Sequence, residues 1–365
     1  MAHIKRPVAS PSFSRRDVLR YASGVAAALA ASESGGFPTA YAETAFTIGT
    51  TGGSWGDGIR KSFVEIPGFE SKHKSRASYL NATNAVLISR LVAQPNNPPY
   101  SVVDFNDVEH ILAADSGAIQ DYDLDVVTNY NDIFPGARYQ PRAGLKNWCA
   151  SMTMPLISIT WNTKSATKPA SWDDLWSGKY TGKVGIPDFA WYGLTWLHAI
   201  NKHLGGTEEN VDKGIAAIAD LVKKNKAVVI KNQDQAVQAF SNGEIVIMPY
   251  WNGRTFSLQA DGVPVDITYV PGTIQLHNGF VIAKSTPFKD LANQFVNNTL
   301  NGDLQLEMTR LFCYPPASRK AKLPPDLARY TPPESVFDNV MVFDWKKINE
   351  KRASDLERWN KEVVG

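Results

Sequence analysis

Aromatic, amide and guanidinium side chains stand close together in the stretch MPYWNGRTF. The apolar residues 245–248 predict a buried strand, and Pro249 is expected to end it. Trp251 offers a flat face to an alkyl chain or a cation, and Asn252 offers both a donor and an acceptor. Arg254 offers a fork that fits a carboxylate. Together these residue types are able to hold a small solute.

A second stretch, GGSWG at residues 52–56, matches the G-x-S-x-G pattern of serine hydrolases. In those enzymes the motif follows several strands, whereas here it follows the first predicted strand. Alternatively, backbone N–H groups and the Ser54 hydroxyl approach a ligand at a helix N-terminus, which favours anionic groups. An exported serine hydrolase using Ser54 therefore stays an alternative. Its partner histidine would come from His73, His110, His198, His203 and His277, none of which has a supporting local context.

Motifs for metals and nucleotides are weak. DYDLDVVTNYND at residues 121–132 begins like a calcium loop, but Val126 stands at the glycine position and Asp132 at the glutamate position. H-E-x-x-H, paired C-x-x-C and glycine-rich G-K-[ST] patterns do not occur in the sequence. No metal and no other cofactor is predicted.

Composition places the chain among ordinary globular proteins. It has 365 residues, a formal net charge of +2, 43% hydrophobic and 20% charged residues, which favours two domains. So small a net charge gives no electrostatic reason for a nucleic-acid or anionic-membrane partner.

The first 42 residues are predicted to be a twin-arginine signal peptide. SRRDVLR precedes an alanine-rich run at 21–31 that is shorter than the roughly 20 residues of a membrane span, and AYA at 40–42 supplies a cleavage site. The expected mature chain begins at Glu43, has no cysteine nearby for a lipid anchor, and is soluble in the periplasm. For Cys149 and Cys313, both a disulfide and two buried free thiols are compatible with that compartment.

Strand and helix patterns alternate from residue 45 onward. The strands AFTIGT, RASYL and SVVDF alternate with helices at 57–64 and 83–94, and a second module begins with the strand PLISITW. Such alternation predicts a mainly parallel sheet covered by helices on both faces, with ligands at the carboxyl ends of the strands. By that rule TTGGSWG and FND lie on one rim. Further elements are predicted as helices at 192–203, 211–224, 289–300 and 344–364, a short helix DQAVQAFSN, and strands at KVGIPD, AVVI, EIVIMPY, 265–270 and 279–284.

SWDDLWSGKYTGKVGIPD, residues 171–188, resembles the S-W-x-D-L-W-x-x-x-Y-x-G-K-V run of extracellular solute-binding proteins of ABC importers, in particular the spermidine/putrescine-binding branch. The resemblance continues in YWNGRTFSLQADGVPVDITYV, in CYPPAS and in the late FDW and RWNKEV stretches, so it covers nearly the whole mature chain. Ser171 is expected to cap a short helix with Trp172 and Trp176 on its apolar face. These residues mark the fold.

The resemblance implies an α/β protein with two lobes, each a mainly parallel sheet flanked by helices, joined by a hinge as in type II periplasmic binding proteins. One small solute is held in the cleft between the lobes, and the closed form, a monomer, is presented to ABC permease subunits in the inner membrane, without catalysis. The expected boundaries are 43–154 with 273–325 for the first lobe, 155–272 for the second, and 326–365 for a C-terminal helical segment packing on the lobes.

The implied ligand contacts come from loops at strand ends in both lobes. They are Thr51, Gly53, Ser54, Trp55, Asn106 and Asp107 in the first set, and Asp188, Trp191, Tyr192, Tyr250, Trp251, Asn252, Arg254, Gln275, His277 and Asn278 in the second.

One departure from the polyamine-binding branch bears on the ligand. Those proteins place several carboxylates after the strand that KVGIPD matches, whereas DFAWY supplies only Asp188. Because a buried ammonium group without a carboxylate costs several kcal/mol, this favours a solute with a carboxylate, such as an amino acid or ω-amino acid. A salt bridge between the lobes is the other reading of Arg254. Ferric-ion binders of the same superfamily use neighbouring tyrosines as iron ligands. Here Tyr250 has only Trp251 beside it, so no iron site is predicted.

Overall fold

The computed structural model of the protein describes residues 46–365. The predicted signal peptide and cleavage site lie outside these residues. No helix within residues 46–365 combines the length and the apolar character that a bilayer crossing requires. The described chain divides into two compact units: the first comprises 46–131, Arg138–Ala150 and Gly279–Thr299, and the second comprises Asp132–Ala137, Ser151–Asn278 and Leu300–Gly365.

Strands and helices alternate along both units. The strands are β1 (Phe46–Thr50), β2 (Ala77–Asn81), β3 (Val102–Asn106), β4 (Ile119–Gln120), β5 (Leu156–Asn162), β6 (Gly185–Pro187), β7 (Val228–Ile230), β8 (Ile247–Trp251), β9 (Val265–Thr268), β10 (Ile274–Gln275) and β11 (Asn278–Ala283). The α-helices are α1 (Gly53–Arg60), α2 (Phe69–His73), α3 (Asn84–Ala93), α4 (Asp107–Ser116), α5 (Leu194–His203), α6 (Asp212–Lys223), α7 (Gln233–Ser241), α8 (Asn252–Ala260), α9 (Lys289–Thr299), α10 (Gly302–Phe312), α11 (Pro325–Ala328) and α12 (Trp345–Arg358).

The first unit contains one sheet with strand order β2-β1-β3-β11-β4. β1 pairs in parallel with β2 and β3, so the ends of β1 and β3 lie at one edge of the sheet, as predicted for TTGGSWG and FND. β4 and β11 pair antiparallel. The core holds Phe46, Phe280 and Phe295, with the Phe280 and Phe295 ring centroids 4.9 Å apart. This sheet fixes where the two loops start.

The second unit contains a four-stranded sheet whose pairs are all antiparallel and a separate parallel pair, β6 with β7, which differs from the mainly parallel sheet that was predicted. β5 lies between β8 on one side and β9 with β10 on the other, and all three pair with it antiparallel. β8 and β9 are thus parallel to each other and joined through α8, with β5 inserted between them in the opposite direction. Alternation along the sequence does not report this insertion because it follows from long-range pairing. The α/β class itself is confirmed.

Pro249 does not end β8, contrary to the sequence expectation. The strand continues to Trp251, with Pro249 opposite Ile159 of β5. β8 is the last strand of the β10-β5-β8 path, and the strand residue that is bridged on its other side is Ile247, to Val184, so the missing N–H of Pro249 is not needed for pairing. The helix α8 follows without a loop. Tyr250 and Trp251 are therefore the final strand residues, and Arg254 belongs to the first turn of a helix.

The boundaries of the units differ from the predicted lobes. Residues 300–325 were expected in the first lobe but belong to the second unit, as do 151–154 and 273–278. The chain after α10 is tied to the second unit because Met154 N–H donates to the carbonyl oxygen of Pro315 over 2.9 Å. Residues 326–365 also belong to the second unit.

Both cysteines are free and buried, which is the second of the two alternatives that the sequence left open. Cys149 lies in the first unit and Cys313 in the second. Burial raises the pKa of the Cys149 thiol well above its usual value.

Candidate functional site

Four aromatic side chains of the second unit, Trp191, Tyr192, Tyr250 and Trp251, form what we call the aromatic face. The ring centroids of Tyr192 and Trp251 are 4.0 Å apart, and Trp191 lies 4.6 Å from Tyr192 and 5.3 Å from Trp251. Tyr192 and Tyr250 are buried, whereas Trp191 and Trp251 are partly exposed. The two indoles are therefore the surfaces that a solute can reach.

A short π-helical turn, Phe189–Gly193, positions the first half of this face. Asp188 caps the turn, since its Oδ1 accepts a hydrogen bond from Ala190 N–H over 2.9 Å. Burial raises the pKa of Tyr192 well above its usual value, so its hydroxyl remains a donor, and it donates to the carbonyl oxygen of Pro249 over 2.6 Å. The turn and β8 are thereby held together, and the Asp188 carboxylate already has a structural partner.

Arg254, on the first turn of α8, is the charged side chain next to the aromatic face. It is partly exposed, and within its own unit none of the described carboxylates forms an ion pair with it. Burial raises the pKa of Tyr314, while a hydrogen bond and the positive charge of Arg254 act in the opposite direction. The same charge acts on Tyr250. The guanidinium group therefore lies next to the Tyr314 hydroxyl, and no described carboxylate of the second unit pairs with it.

Gly253 allows the chain after α10 to approach Arg254. A Cβ atom at this position would lie 2.3 Å from the carbonyl oxygen of Phe312 and 2.7 Å from Cε1 of Tyr314, so no larger residue fits without movement. Cys313, between those two residues, ends α10 with a φ of 58°. α8 begins without a side-chain cap. Its first N–H groups and the Arg254 guanidinium together favour an anionic group.

Asn252 and Asn278 form hydrogen bonds within the protein. Asn252 is fully buried, and its Oδ1 accepts from Leu156 N–H over 3.1 Å, which joins the start of α8 to β5. Asn278 is also buried, and its Oδ1 accepts from the Thr153 hydroxyl over 3.0 Å. Contact of either residue with a solute stays a prediction.

Gln275 and His277 both donate to one backbone carbonyl, that of Gly136. The distances are 3.1 Å from Gln275 Nε2 and 2.8 Å from His277 Nε2. These side chains hold residues 132–137 against the chain around β10, and their role in ligand binding is also still a prediction.

The rim of the first unit is built by a glycine turn. Gly52 and Gly53 have φ values of 75° and 56°, which non-glycine residues rarely adopt, and α1 starts immediately. Thr51 and Ser54 are exposed, while Trp55 is partly exposed. A shallow cavity of about 110 Å³ opens beside this turn. The structure thus brings the predicted TTGGSWG residues to an accessible edge.

Asn106 and Asp107, at the end of β3, have different environments. Asn106 is exposed and occupies the N-cap position of α4, but its side chain forms no capping hydrogen bond. Asp107 is 2% exposed and accepts a hydrogen bond from the Tyr139 hydroxyl over 2.7 Å. Tyr139 in turn lies 3.0 Å from Nδ1 of the buried His110. Asn106 is accessible to a solute, whereas Asp107 is engaged in a buried network.

The sequence reasoning missed Asp104, which lies inside β3. This carboxyl group is 5% exposed, and its Oδ2 accepts a hydrogen bond from Trp55 Nε1 over 2.5 Å. Its Oδ1 is buried and has no hydrogen-bond partner among the described residues. Burial raises the pKa of Asp104 to about 7, against the effect of the Trp55 hydrogen bond. An acidic residue within the apolar run SVVDF was the available signal.

The serine hydrolase alternative receives no support. No hydrogen bond within residues 46–365 joins Ser54 to a histidine. The five candidate histidines have other neighbours: His73 packs on Phe69, His110 contacts Tyr139, His198 pairs with Asp355, His203 with Asp173, and His277 with Gly136.

Known proteins are similar to this chain in sequence and in fold. The family model for bacterial extracellular solute-binding proteins matches residues 69–332. A spermidine/putrescine-binding periplasmic protein of Escherichia coli (strain K12) is 27% identical over 58% of this chain and 62% of its own length. A gamma-aminobutyric acid-binding protein of Pseudomonas aeruginosa is 27% identical over 54% of this chain and 56% of its own length. The chain thus spans less than two thirds of these curated relatives.

A solved structure shows the same fold. The crystal structure of an ABC transporter protein from Clostridium perfringens superposes with a TM-score of 0.75 at 20% sequence identity, covering 87% of this chain and 99% of that protein. The resemblance that the sequence motifs indicated is confirmed, because the family model covers more than half of the chain. The protein belongs to the family of bacterial extracellular solute-binding proteins.

Proposed function

We propose that the protein is the substrate-binding component of an ABC importer, and that it captures a small solute bearing at least one carboxylate group. Membership of the solute-binding family supports the transport role. The observation that carries the choice of ligand is Arg254, a partly exposed guanidinium group next to the aromatic face without a carboxylate partner in its unit.

A carboxylate is the group that best fits this guanidinium. Two parallel N–H···O bonds satisfy both partners, and such charge-assisted pairs are about twice as strong as neutral hydrogen bonds. The N–H groups at the start of α8 add a favourable dipole, and the Tyr314 hydroxyl next to Arg254 supports the orientation of the side chain.

The rest of the solute would lie on Trp191 and Trp251. An alkyl chain gains from burial on the indole faces, and an ammonium group gains from cation–π attraction. A diamine or triamine is disfavoured, since its ammonium groups would be repelled by Arg254 and the Asp188 carboxylate already accepts from Ala190 N–H. Of the solutes named for its relatives, γ-aminobutyrate therefore fits this surface better than spermidine or putrescine.

Localisation in the periplasm, export by the twin-arginine route and delivery of the solute to permease subunits belong to the same proposal. The names of the relatives and the SRRDVLR motif support it. Replacement of Arg15 and Arg16 by lysine should leave an uncleaved precursor in the cytoplasm on cell fractionation. Normal export of that double variant would contradict the twin-arginine route.

A thermal-shift screen tests the choice of ligand. γ-Aminobutyrate, glutamate, putrescine and spermidine are added to the purified protein, and a solute at a hundred times its Kd stabilises the folded state by roughly 2.7 kcal/mol. The affinity of the best carboxylate is then measured for Arg254→Ala. Truncating one partner of a buried charge pair costs roughly 2–5 kcal/mol, which is at least a 30-fold loss of affinity.

Arg310→Ala is the matched control, because Arg310 belongs to the same unit and forms an exposed ion pair with Glu307. It should bind the solute like the wild type. Binding of spermidine or putrescine in preference to all carboxylates, or a carboxylate affinity that Arg254→Ala leaves unchanged, would refute the anionic ligand class. Contacts of Trp55 and Asn106 with the same solute remain predictions.

A further inference from the structure

Trp55 is held by a buried carboxyl group. Its indole Nε1–H donates to Oδ2 of Asp104 over 2.5 Å, and Asp104 lies in β3, 5% exposed, while the indole itself is partly exposed on the rim. The Trp55 side chain, which a solute can reach, is thus hydrogen-bonded to the titratable carboxyl group of Asp104, which a solute cannot reach.

The two oxygens of Asp104 are not equivalent. Oδ2 accepts from the indole, whereas Oδ1 is buried and has no hydrogen-bond partner among the described residues. A proton taken up from solvent therefore binds to Oδ1 and leaves Oδ2 as the acceptor. The indole is then held by a neutral hydrogen bond, which is weaker than the charge-assisted bond to the carboxylate.

The surroundings of Asp104 favour proton uptake within an accessible pH range. Burial raises its pKa to about 7, and the negative charge of Glu109, on α4, adds to that effect. The Trp55 hydrogen bond opposes both. The nearby Cys149 thiol stays neutral, because burial raises its pKa.

We propose that Asp104 is a positioning residue for Trp55, and that proton uptake on its Oδ1 loosens the indole and weakens solute binding. The second half of this statement rests on the proposed function, since it requires Trp55 to contact the solute. The first half concerns the protein without any solute. The proposal makes capture of the solute stronger above neutral pH than in an acidic medium.

The indole N–H signals of protein labelled with ¹⁵N-tryptophan test the first half. The Trp55 signal is assigned by its loss in Trp55→Phe and followed from pH 5 to pH 8.5 without solute. We expect it to shift with a midpoint near 7 in the wild type and to stay fixed in Asp104→Asn. Asp57→Asn, which removes an exposed carboxylate from the same helix as Trp55, is the control and should titrate like the wild type. A Trp55 signal that does not shift, or shifts equally in Asp104→Asn, overturns the proposal.

Affinity for γ-aminobutyrate tests the second half. The difference between a charge-assisted and a neutral hydrogen bond corresponds to about a fivefold change in Kd. Wild type should bind about fivefold more tightly at pH 8 than at pH 5.5, whereas Asp104→Asn should have the weaker affinity at both values. Equal pH dependence in the two proteins overturns the coupling to binding. If γ-aminobutyrate binds neither protein, the choice of ligand has failed, and the indole titration still decides the role of Asp104.

Discussion

Replacement of Gly253 by alanine should disturb the site without removing any of its functional groups. The added Cβ atom would lie 2.3 Å from the carbonyl oxygen of Phe312 and 2.7 Å from Cε1 of Tyr314. The first of these is a backbone atom, so no side-chain rotation relieves the overlap. The chain after α10 must move away from α8, and Tyr314 moves with it relative to Arg254.

The expected loss of stability follows from two opposing effects. Overpacking of a well-packed region costs about 1–3 kcal/mol. Replacing glycine by alanine in a helix contributes at most about 1 kcal/mol in the other direction, and less in the first turn. We therefore expect the free energy of unfolding to fall by about 1–2 kcal/mol. Affinity for the carboxylate solute should fall as well, because Arg254 and Tyr314 lose their arrangement.

Gly136→Ala is the matched control for this experiment. A Cβ atom at Gly136 would have no neighbour within 4 Å, and the carbonyl group that binds Gln275 and His277 is retained. The free energy of unfolding of this variant should be unchanged or up to about 1 kcal/mol higher, since alanine reduces the entropy of the unfolded chain. Urea-induced unfolding followed by circular dichroism measures all three proteins, and calorimetric titration measures their affinities.

The reasoning is refuted if Gly253→Ala is as stable as Gly136→Ala and binds the solute like the wild type. That result would mean that the chain after α10 does not pack against the first turn of α8 in solution. Loss of stability with unchanged affinity would separate the two consequences, and it would show that the position of Tyr314 does not matter for binding.

Three further measurements test other parts of the structure. Asp355 accepts a hydrogen bond from the His198 imidazole over 3.1 Å, and both side chains are 1% exposed. Asp355→Ala leaves this imidazole without its acceptor, so urea unfolding should show that the free energy of unfolding falls by about 1–3 kcal/mol. Asp220→Ala, which breaks an exposed pair, should cost at most about 1 kcal/mol, and equal losses would contradict the burial argument. The pKa of Asp104 is raised to about 7 in the folded protein, so the folded state holds this proton more tightly than the unfolded state does. The resulting stabilisation is present below pH 4 and is lost as the pH rises to 7, with a slope of about 1.4 kcal/mol per pH unit. The free energy of unfolding of Asp104→Asn should lack that slope. A thiol reagent should modify neither cysteine in the native protein and both after unfolding, and no reaction in denaturant would reveal a disulfide.

Local patterns in the sequence predicted much of what the structure contains. Ser171 begins the 3₁₀-helix Trp172–Trp176 with a capping box, in which its hydroxyl accepts a hydrogen bond from Asp173 N–H. The first residues of the family motif therefore form this helix through contacts between sequence neighbours. The first three strands and the helix after the second one lie within a few residues of their predicted positions. Such features depend on neighbours in sequence, and spacing alone reports them.

Nonlocal features could not be predicted in the same way. The direction of β5 depends on strands that follow it by many residues, and the burial of Asn252 depends on its bond to Leu156. The bond between Trp55 and Asp104 joins residues 49 positions apart. Local sequence patterns do not specify these contacts, because each of them joins residues that are far apart in the sequence.

The sequence by itself therefore determined the α/β class, the family and the residue types available for binding, because periodicity, capping and motif spacing are properties of the chain. Only the tertiary structure decided which of those residues are accessible and which are engaged. It leaves Arg254 without a carboxylate partner in its unit and gives Asp188 a backbone partner, because long-range packing decides which polar groups are paired before a solute arrives.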